Sequence, residues 1–472
     1  MTRAVAANPL LVGVLGVYTV AVAVLVTRHE PWFDEAQAWL LARDTAPLTL
    51  VTDALRYEGS PGLWHLTLTL PAKLGLPYVT LNVISAGLGV VATFLFVRYS
   101  PFPAVVKALF PFTFFVFYQY TVVARSYAFF APLLFLLAHV FPRKTERVYA
   151  FTALLCLVAN VSVHGLLIAG SVMALHLWDL FRSRAALDRA ALRRQATAVA
   201  AFALVCALVV LQLLPPDDLT FAPDTRFTLA HTRFTLETMV KGSLTERLSI
   251  SAVVLAASGW WFWRARCLAL YLLPTFAILA FSSLRYWNLW HQGTLFLVWV
   301  FVLWVSFATH QPRVRSDVWA RRAALVAIMV VILVQVAWSA WSARFDYLNP
   351  YSGSRELARY IERYRLQESE LYATGYPSVA VLPYFDHNIF ANHKGRSKRS
   401  FWFWSTRNAV VEDPAKILAA RPDFVVLSVK VPGQERATDS FSGYRVARIF
   451  PGDLWWKNRV MERDAYILLQ RT

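Results

Sequence analysis

Long apolar runs separated by short polar breaks fill the chain up to about residue 343. They lie at roughly 9–27, 78–97, 104–118, 127–141, 148–160, 164–178, 197–214, 248–263, 267–282, 293–309 and 322–342. Several approach the ~20 residues that a helix needs to cross a bilayer, and the shorter ones have blurred ends. A backbone in lipid must satisfy its own hydrogen bonds, so such runs predict helices. The pattern predicts a multispanning α-helical membrane protein with about 11 transmembrane helices over residues 1–343.

Beyond residue 343 the texture changes. Ser354 opens an amphipathic helical stretch (355–365), followed by the strand-like Leu371-Tyr372-Ala373-Thr374-Gly375. A second helix–strand pair follows at 413–420 and 424–427, and 444–450 and 465–469 alternate or run apolar as strands do. Residues 344–472 are therefore expected to form a small C-terminal α/β domain outside the membrane. They contain no Cys and no phosphate-binding Gly motif. Phe401-Trp402-Phe403-Trp404 suits a core, a membrane-surface anchor or a sugar platform.

Composition agrees with the pattern: 57% of the 472 residues are hydrophobic and 16% charged. A soluble protein carries about 25% charged residues, so a soluble enzyme, a disordered chain and a disulfide scaffold are all excluded. The net charge of +18 resembles a nucleic-acid footprint until its distribution is read. With the N-terminus inside, alternate loops hold 17 Lys and Arg against four acids (Glu146, Asp179, Asp188 and Asp317), whereas the opposite loops are balanced. That is the positive-inside asymmetry of membrane proteins, and it needs no nucleic-acid partner. An odd number of spans then puts residues 344–472 on the outer side. The first run has only Arg3 before it and no cleavage-site pattern after it, so it reads as an uncleaved anchor. Cys156, Cys206 and Cys267 all lie in apolar runs without metal spacing and read as small buried hydrophobes.

The outer loops hold the candidate chemistry. The first, 28–77, contains Trp32-Phe33-Asp34-Glu35-Ala36 just past the first span. Asp34 suits a helix N-cap and Glu35 a first helical turn, while Trp39 and Leu40 suit a helix lying on the bilayer. Consecutive helical residues diverge by about 100°, so only one of the two acids can face a given reaction centre. Further on, Glu58 and His65 flank the Gly/Pro-rich turn Glu58-Gly59-Ser60-Pro61-Gly62-Leu63-Trp64-His65. Arg125, His164, Arg285 and His291 recur at the same outer level, where a charge at an apolar boundary needs a partner or a task. The loop 215–247 carries mixed charges, among them Asp217, Asp218, Asp224, Arg226, Lys241 and Arg247, and its length suggests a flexible flap. Lys241 and Arg247 have the chemistry to hold a phosphate at the headgroup plane.

This arrangement resembles the GT-C superfamily of polyprenyl-phosphate-dependent glycosyltransferases, in the branch of protein O-mannosyltransferases and aminoarabinose transferases. The acid pair Asp34-Glu35 after the first span carries most of the likeness. Glu58-Gly59-Ser60-Pro61-Gly62-Leu63-Trp64 is similar to that family's His/Glu-x-x-Pro-Pro-Leu-Tyr segment, with Pro61-Gly62 in place of Pro-Pro. Ala124-Arg125-Ser126-Tyr127, Val163-His164-Gly165 and Leu289-Trp290-His291-Gln292-Gly293 are similar to its later outer-loop marks. The family often has a second acid before the Arg-x-Tyr segment, where this chain has Gln119 and Tyr120.

The resemblance implies inverting transfer of a sugar from a polyprenyl-phosphate donor to an acceptor hydroxyl on a glycan, lipid or protein, at the outer face of a bacterial cytoplasmic (inner) membrane. It implies no nucleotide cofactor and leaves a divalent cation open; no metal-ligand set stands out in the sequence. Inversion needs a base on the face of the sugar opposite the leaving phosphate. Asp34 is the expected base, with Glu35 beside it. Cationic donors are expected at the phosphate, drawn from Arg125, His164, Lys241, Arg285 and His291. Glu58 and His65 are expected to bind substrate. The alternative is a transporter or flippase of lipid-linked glycans, which calls for a polar path across the membrane and often two similar halves. No half-repeat is visible in the sequence.

Overall fold

The computed structural model describes residues 9–221, 228–394, 399–431 and 435–472. Every apolar run of the sequence falls on helix. In order these are α1 (Pro9–Arg28), α4 (Thr80–Tyr99), α5 (Ala104–Val122), α6 (Ser126–Arg143), α7 (Val148–Ala159), α8 (Val163–Ser183), α9 (Arg189–Leu213), α11 (Leu248–Arg264), α12 (Leu268–Leu284), α13 (Leu289–Thr309) and α14 (Arg315–Leu348). The 28–77 loop supplies α2 (Phe33–Asp44) and α3 (Leu63–Lys73), and the loop after α9 supplies α10 (Leu229–Leu244). Among the described residues, eight helices are long and apolar enough to cross a membrane; α7, α11 and α12 are shorter. The expected eleven crossings are thus eight by length and hydropathy, with three shorter helices packed among them.

Two kinds of helix surface explain the packing. α1 and α9 are strongly apolar yet expose Val12, Val17, Val20, Leu204, Leu208 and Leu211. Outward apolar faces of this extent are stable against lipid, not against water. α13 is the opposite, buried along Gln292–Phe307 at the centre of the bundle. Pro111 breaks α5 into two pieces, and its second half winds as a wide π-type helix (Phe115–Val122) that delivers Arg125 just beyond it. Loops that the charge pattern assigns to one face do meet: Lys144 pairs with Asp179 at 2.6 Å and Arg264 with Asp317 at 2.6 Å.

At the other end sits the C-terminal α/β unit. Its sheet runs β1 (Leu371–Thr374), β4 (Phe424–Val431), β6 (Arg459–Arg471), β5 (Tyr444–Trp456), with β1 parallel to β4 and the other pairs antiparallel. Two short strands, β2 (His393–Lys394) and β3 (Ala409–Val410), form a separate pair. α15 (Ser354–Arg363) and α16 (Pro414–Ala420) match the expected helices. The sheet's inner side (Ala373, Val426, Leu468) shares one core with Leu40, Leu41, Leu50 and Leu55 of the first outer loop.

That shared core corrects one expectation. α2 does not lie on the bilayer, because it is apolar on both sides. Leu40 and Leu41 face the C-terminal core, while Trp39 and Ala42 pack with Trp64 and Leu68 of α3. The flap expected at 215–247 is also corrected over its described part. α10 buries Met239, Ser243 and Leu244, and Gln335 donates to the Ser243 carbonyl at 3.1 Å. Asp218 fastens the preceding segment, accepting from Tyr57, Ser405 and Arg407. Asp224 and Arg226 lie outside the described residues.

Candidate active site

The apolar side chains Trp32 and Phe33 start α2, and Glu35, at its third position, reaches back to accept the Trp32 amide at 3.2 Å. This is half of a capping box, so Glu35 and not Asp34 does the capping. The turn of the helix then separates the two acids as the 100° rule requires. Glu35 is fully buried, whereas Asp34 points into a cavity of 540 Å³ between the helix ends and the C-terminal sheet.

In that cavity Asp34 Oδ2 accepts from Arg125 Nη2 at 2.8 Å, with the two side chains 24% and 18% exposed. Burial raises the Asp34 carboxyl above its ordinary value; Arg125 opposes this and the nearby Glu35 reinforces it. Arg125 sits on an extended segment, its guanidinium 4.6 Å from the Trp290 ring and within reach of Tyr127 and Trp32. Its Nη1 is buried with no hydrogen-bond partner among the described residues. One edge of the fork therefore holds Asp34 and the other is available to an anion.

The Gly/Pro-rich turn does what its residues suggest. Gly59 takes a left-handed conformation (φ 57°) that ends a short helix and turns the chain, leaving Glu58 and His65 on the same cavity wall. Glu58 accepts from Gln37 Nε2 at 2.8 Å. Burial pushes its carboxyl up to about 8, against the Gln37 hydrogen bond and with help from Asp34. Burial pulls His65 down to about 4, so its ring is neutral, and its Nδ1 has no partner among the described residues.

His164 opens α8 behind the Ser162 cap, and His291 opens α13 behind the Asn288 cap. Their rings stand 4.3 Å apart on the cavity wall, both buried. His291 Nδ1 accepts from the Asn288 amide at 3.0 Å, which leaves Nε2 to carry a proton; neither nitrogen of His164 has a partner among the described residues.

Of the residues singled out in the sequence, Asp34, Glu58, His65, Arg125, His164 and His291 line this one cavity. Three do not. Glu35 is withdrawn into a buried network. Lys241 pairs with Glu237 at 3.3 Å one helical turn away. Arg285 is exposed at the C-terminal end of α12, outside the cavity wall. The far wall comes from the C-terminal unit, through Tyr376, Trp404, Lys430, Glu462, Asp464 and Tyr466, and apart from Trp404 the sequence pattern had not marked it. Lys430 and Glu462 pair at 2.5 Å, and burial together with Glu462 pushes Asp464 up to about 7. Trp404 was the one visible signal, within the aromatic stretch 401–404. Phe401 and Phe403 of that stretch are core, while Trp404 is half-buried against Phe33, Tyr376 and Phe221. Among the described residues no three His, Cys, Asp or Glu side chains gather as metal ligands.

Neither a family model nor a curated protein matches the sequence. The structure is similar to the crystal structure of ArnT from Cupriavidus metallidurans in the apo state, with a TM-score of 0.58 over 97% of this chain and 98% of that one, at 12% identity. The shared feature is the whole architecture, helices and C-terminal unit together. The chain shares the fold of that protein, a multispanning helical membrane unit capped by a small strand-containing domain.

Proposed function

We propose that the protein is an inverting glycosyltransferase that moves a sugar from a polyprenyl-phosphate donor to an acceptor hydroxyl at the outer membrane–water boundary. The observation that carries this reading is the Asp34–Arg125 contact in a cavity at the ends of apolar helices. A lipid-phosphate sugar holds its anomeric carbon at that level, with its hydrocarbon tail in the bilayer. Arg125, through its unpartnered Nη1, binds the phosphate and draws its other edge away from Asp34. The freed carboxylate, kept basic by burial, takes the proton as the acceptor oxygen bonds to the anomeric carbon. The carbon–oxygen bond to phosphate breaks on the opposite face, and the polyprenyl phosphate leaves with the bonding pair. His164 and His291 supply neutral donors to the leaving oxygens, and Glu58 and His65 hold sugar hydroxyls.

The transporter reading calls for a polar path through the bundle. Beneath the cavity the helices are filled instead by packed aromatic side chains, including Phe96, Phe110, Phe115, Phe135 and Phe296. That supports an enzyme. The test is transfer by purified protein in lipid nanodiscs from polyprenyl-phosphate sugars, with mass spectrometry of envelope glycans from cells with and without the gene. Loss of no sugar residue from the envelope, together with no transfer in vitro, would reject it.

A further inference from the structure

We infer that Glu35, His29 and Asp346 form a positioning strap that sets the Arg125 segment against Asp34, and that Glu35 takes no proton in the reaction. The inference rests on the proposed function for the ligand that Arg125 binds and for the reaction from which Glu35 is excluded.

Three buried groups stand in a row. His29 Nε2 contacts Glu35 Oε2 at 3.1 Å, and its Nδ1 contacts Asp346 Oδ2 at 2.8 Å. All three are essentially inaccessible, with side-chain exposures of 0%, 0% and 1%. The row joins the first outer loop to the far end of α14. Both of its ends also grip the segment that carries Arg125. Tyr118 donates to Asp346 Oδ2 at 3.1 Å, and the Ala124 amide donates to Glu35 Oε1 at 2.7 Å. Asn82 Nδ2 lies 3.5 Å from both Glu35 Oε1 and the Val122 carbonyl. The residue before Arg125 is therefore fixed by the same carboxylate that fixes the Trp32 amide, two residues before Asp34.

The charges make the row coherent. Burial by itself would lower the His29 pKa, but Asp346 and Glu35 outweigh it and raise the ring to about 10, so His29 is cationic at neutral pH. Glu35 is thereby engaged by the imidazolium and two backbone amides. A carboxylate so occupied, and absent from the cavity wall, is poorly placed to accept a proton from a substrate. It acts on Arg125 through the backbone.

The test pairs two substitutions at one position. Glu35→Gln keeps an oxygen for the Ala124 amide and can donate to a neutral His29 whose other proton goes to Asp346, giving up only the Trp32 amide contact. Glu35→Ala keeps neither. In nanodiscs, hydrogen exchange is read over residues 123–127, and binding is read with a polyprenyl phosphate lacking sugar. Glu35→Ala is expected to exchange faster there and to bind the probe about tenfold or more weakly, the loss that follows from hydrogen bonds to a charged group. Glu35→Gln is expected to stay close to wild type in both. If Glu35→Ala does not fold, Glu35→Asp replaces it, because the shorter side chain cannot reach Ala124 and His29 together. Wild-type exchange and binding in Glu35→Ala or Glu35→Asp would overturn the inference. So would a Glu35→Gln protein with normal exchange and probe binding but no transfer, since that would make Glu35 a proton acceptor. A wild-type protein that does not bind the probe would count against the glycosyltransferase reading, while the exchange measurement would still decide the strap.

Discussion

Asp34 Oδ2 and Arg125 Nη2 meet at 2.8 Å, although 91 residues separate them and each is delivered by a different helix end. The pairing puts a basic oxygen and a cationic fork at the same point of the cavity. Asp34→Asn keeps the size of the side chain, and the capping of α2 belongs to Glu35, so folding is expected to be normal. Removing proton acceptance is expected to reduce transfer by roughly 10²–10⁴-fold. Sugar transfer and melting temperature measured on the same preparation check this. A fully active, fully stable Asp34→Asn protein would take the base away from Asp34.

Arg125 and Arg285 differ in what their loss removes. Arg125→Ala takes the guanidinium from the cavity and leaves Asp34 without its partner; transfer is expected to fall by about 2–4 kcal/mol in transition-state stabilisation. Arg125→Lys is expected to recover only part, because a point charge cannot offer the phosphate the paired donors of a guanidinium edge. Arg285→Ala, at an exposed helix end, is expected to change turnover far less. Comparable losses in Arg285→Ala and Arg125→Ala would restore Arg285 to the site.

Glu58 gives the cavity a pH signature. Its carboxyl titrates near 8 in the folded protein and at an ordinary 4.5 in the unfolded chain. Between those values the folded state holds a proton that the unfolded state has lost, so stability falls as pH rises across the window. Above it the penalty is constant. Glu58→Gln removes the titration, and its melting temperature is expected to fall less than that of wild type between about pH 5 and pH 9. Parallel curves for the two proteins would mean that Glu58 is already ionised in the fold.

How far the sequence reached depended on whether a feature was local. The eleven helices that fall on apolar runs announce themselves, and β1, β4, β5 and β6 do so by alternation or short apolar runs, because these periods are properties of consecutive residues; α10 did not, lying in a mixed-charge stretch that reads as a loop. The cavity's membrane-side wall was legible for a related reason: charges at apolar boundaries are costly, so Asp34, Arg125, His164 and His291 stand out where they are. The far wall was not. Lys430, Glu462 and Asp464 lie on ordinary polar strand positions, and only the antiparallel pairing of β4 with β6 brings them together. His29 and Asp346 were hidden likewise, since each looks like a polar residue just past a span until the two are found 2.8 Å apart. Lys241 misled because its cationic chemistry was visible, while its pairing with Glu237 depends on a helix in a stretch that reads as a loop.

Sidedness is open to direct labelling. The charge pattern places residue 190 on the cytoplasmic face and the turn at Ser60 on the outer face. Ala190→Cys is expected to react with an impermeant thiol reagent only after the membrane is opened, and Ser60→Cys is expected to react in intact cells. The native cysteines are buried or half-buried and serve as background. Residue 190 labelled in intact cells would invert the topology and put the cavity on the inner face.

The hairpin of β5 and β6 makes a further claim on stability. Its tip carries Lys457, 1% exposed, into the bundle, where Nζ donates to the Gly242 carbonyl at 2.7 Å, to Gln292 Oε1 at 2.9 Å, and to Glu246. Burial lowers its pKa to about 8 against the attraction of Glu246, and the Trp338 ring lies 4.3 Å from the ammonium. Lys457 is not in the cavity wall, so its work is to lock the C-terminal sheet onto α10 and α13. Lys457→Met fills similar space but strands two buried acceptors, at about 1–3 kcal/mol each; Glu246, more open to solvent, adds little. The expected outcome is a protein destabilised by roughly 2–4 kcal/mol in nanodiscs, with transfer per folded molecule little changed. An unchanged melting temperature would mean that the hairpin tip is not what holds the sheet over the cavity, and a loss of transfer without loss of stability would assign Lys457 to the chemistry instead.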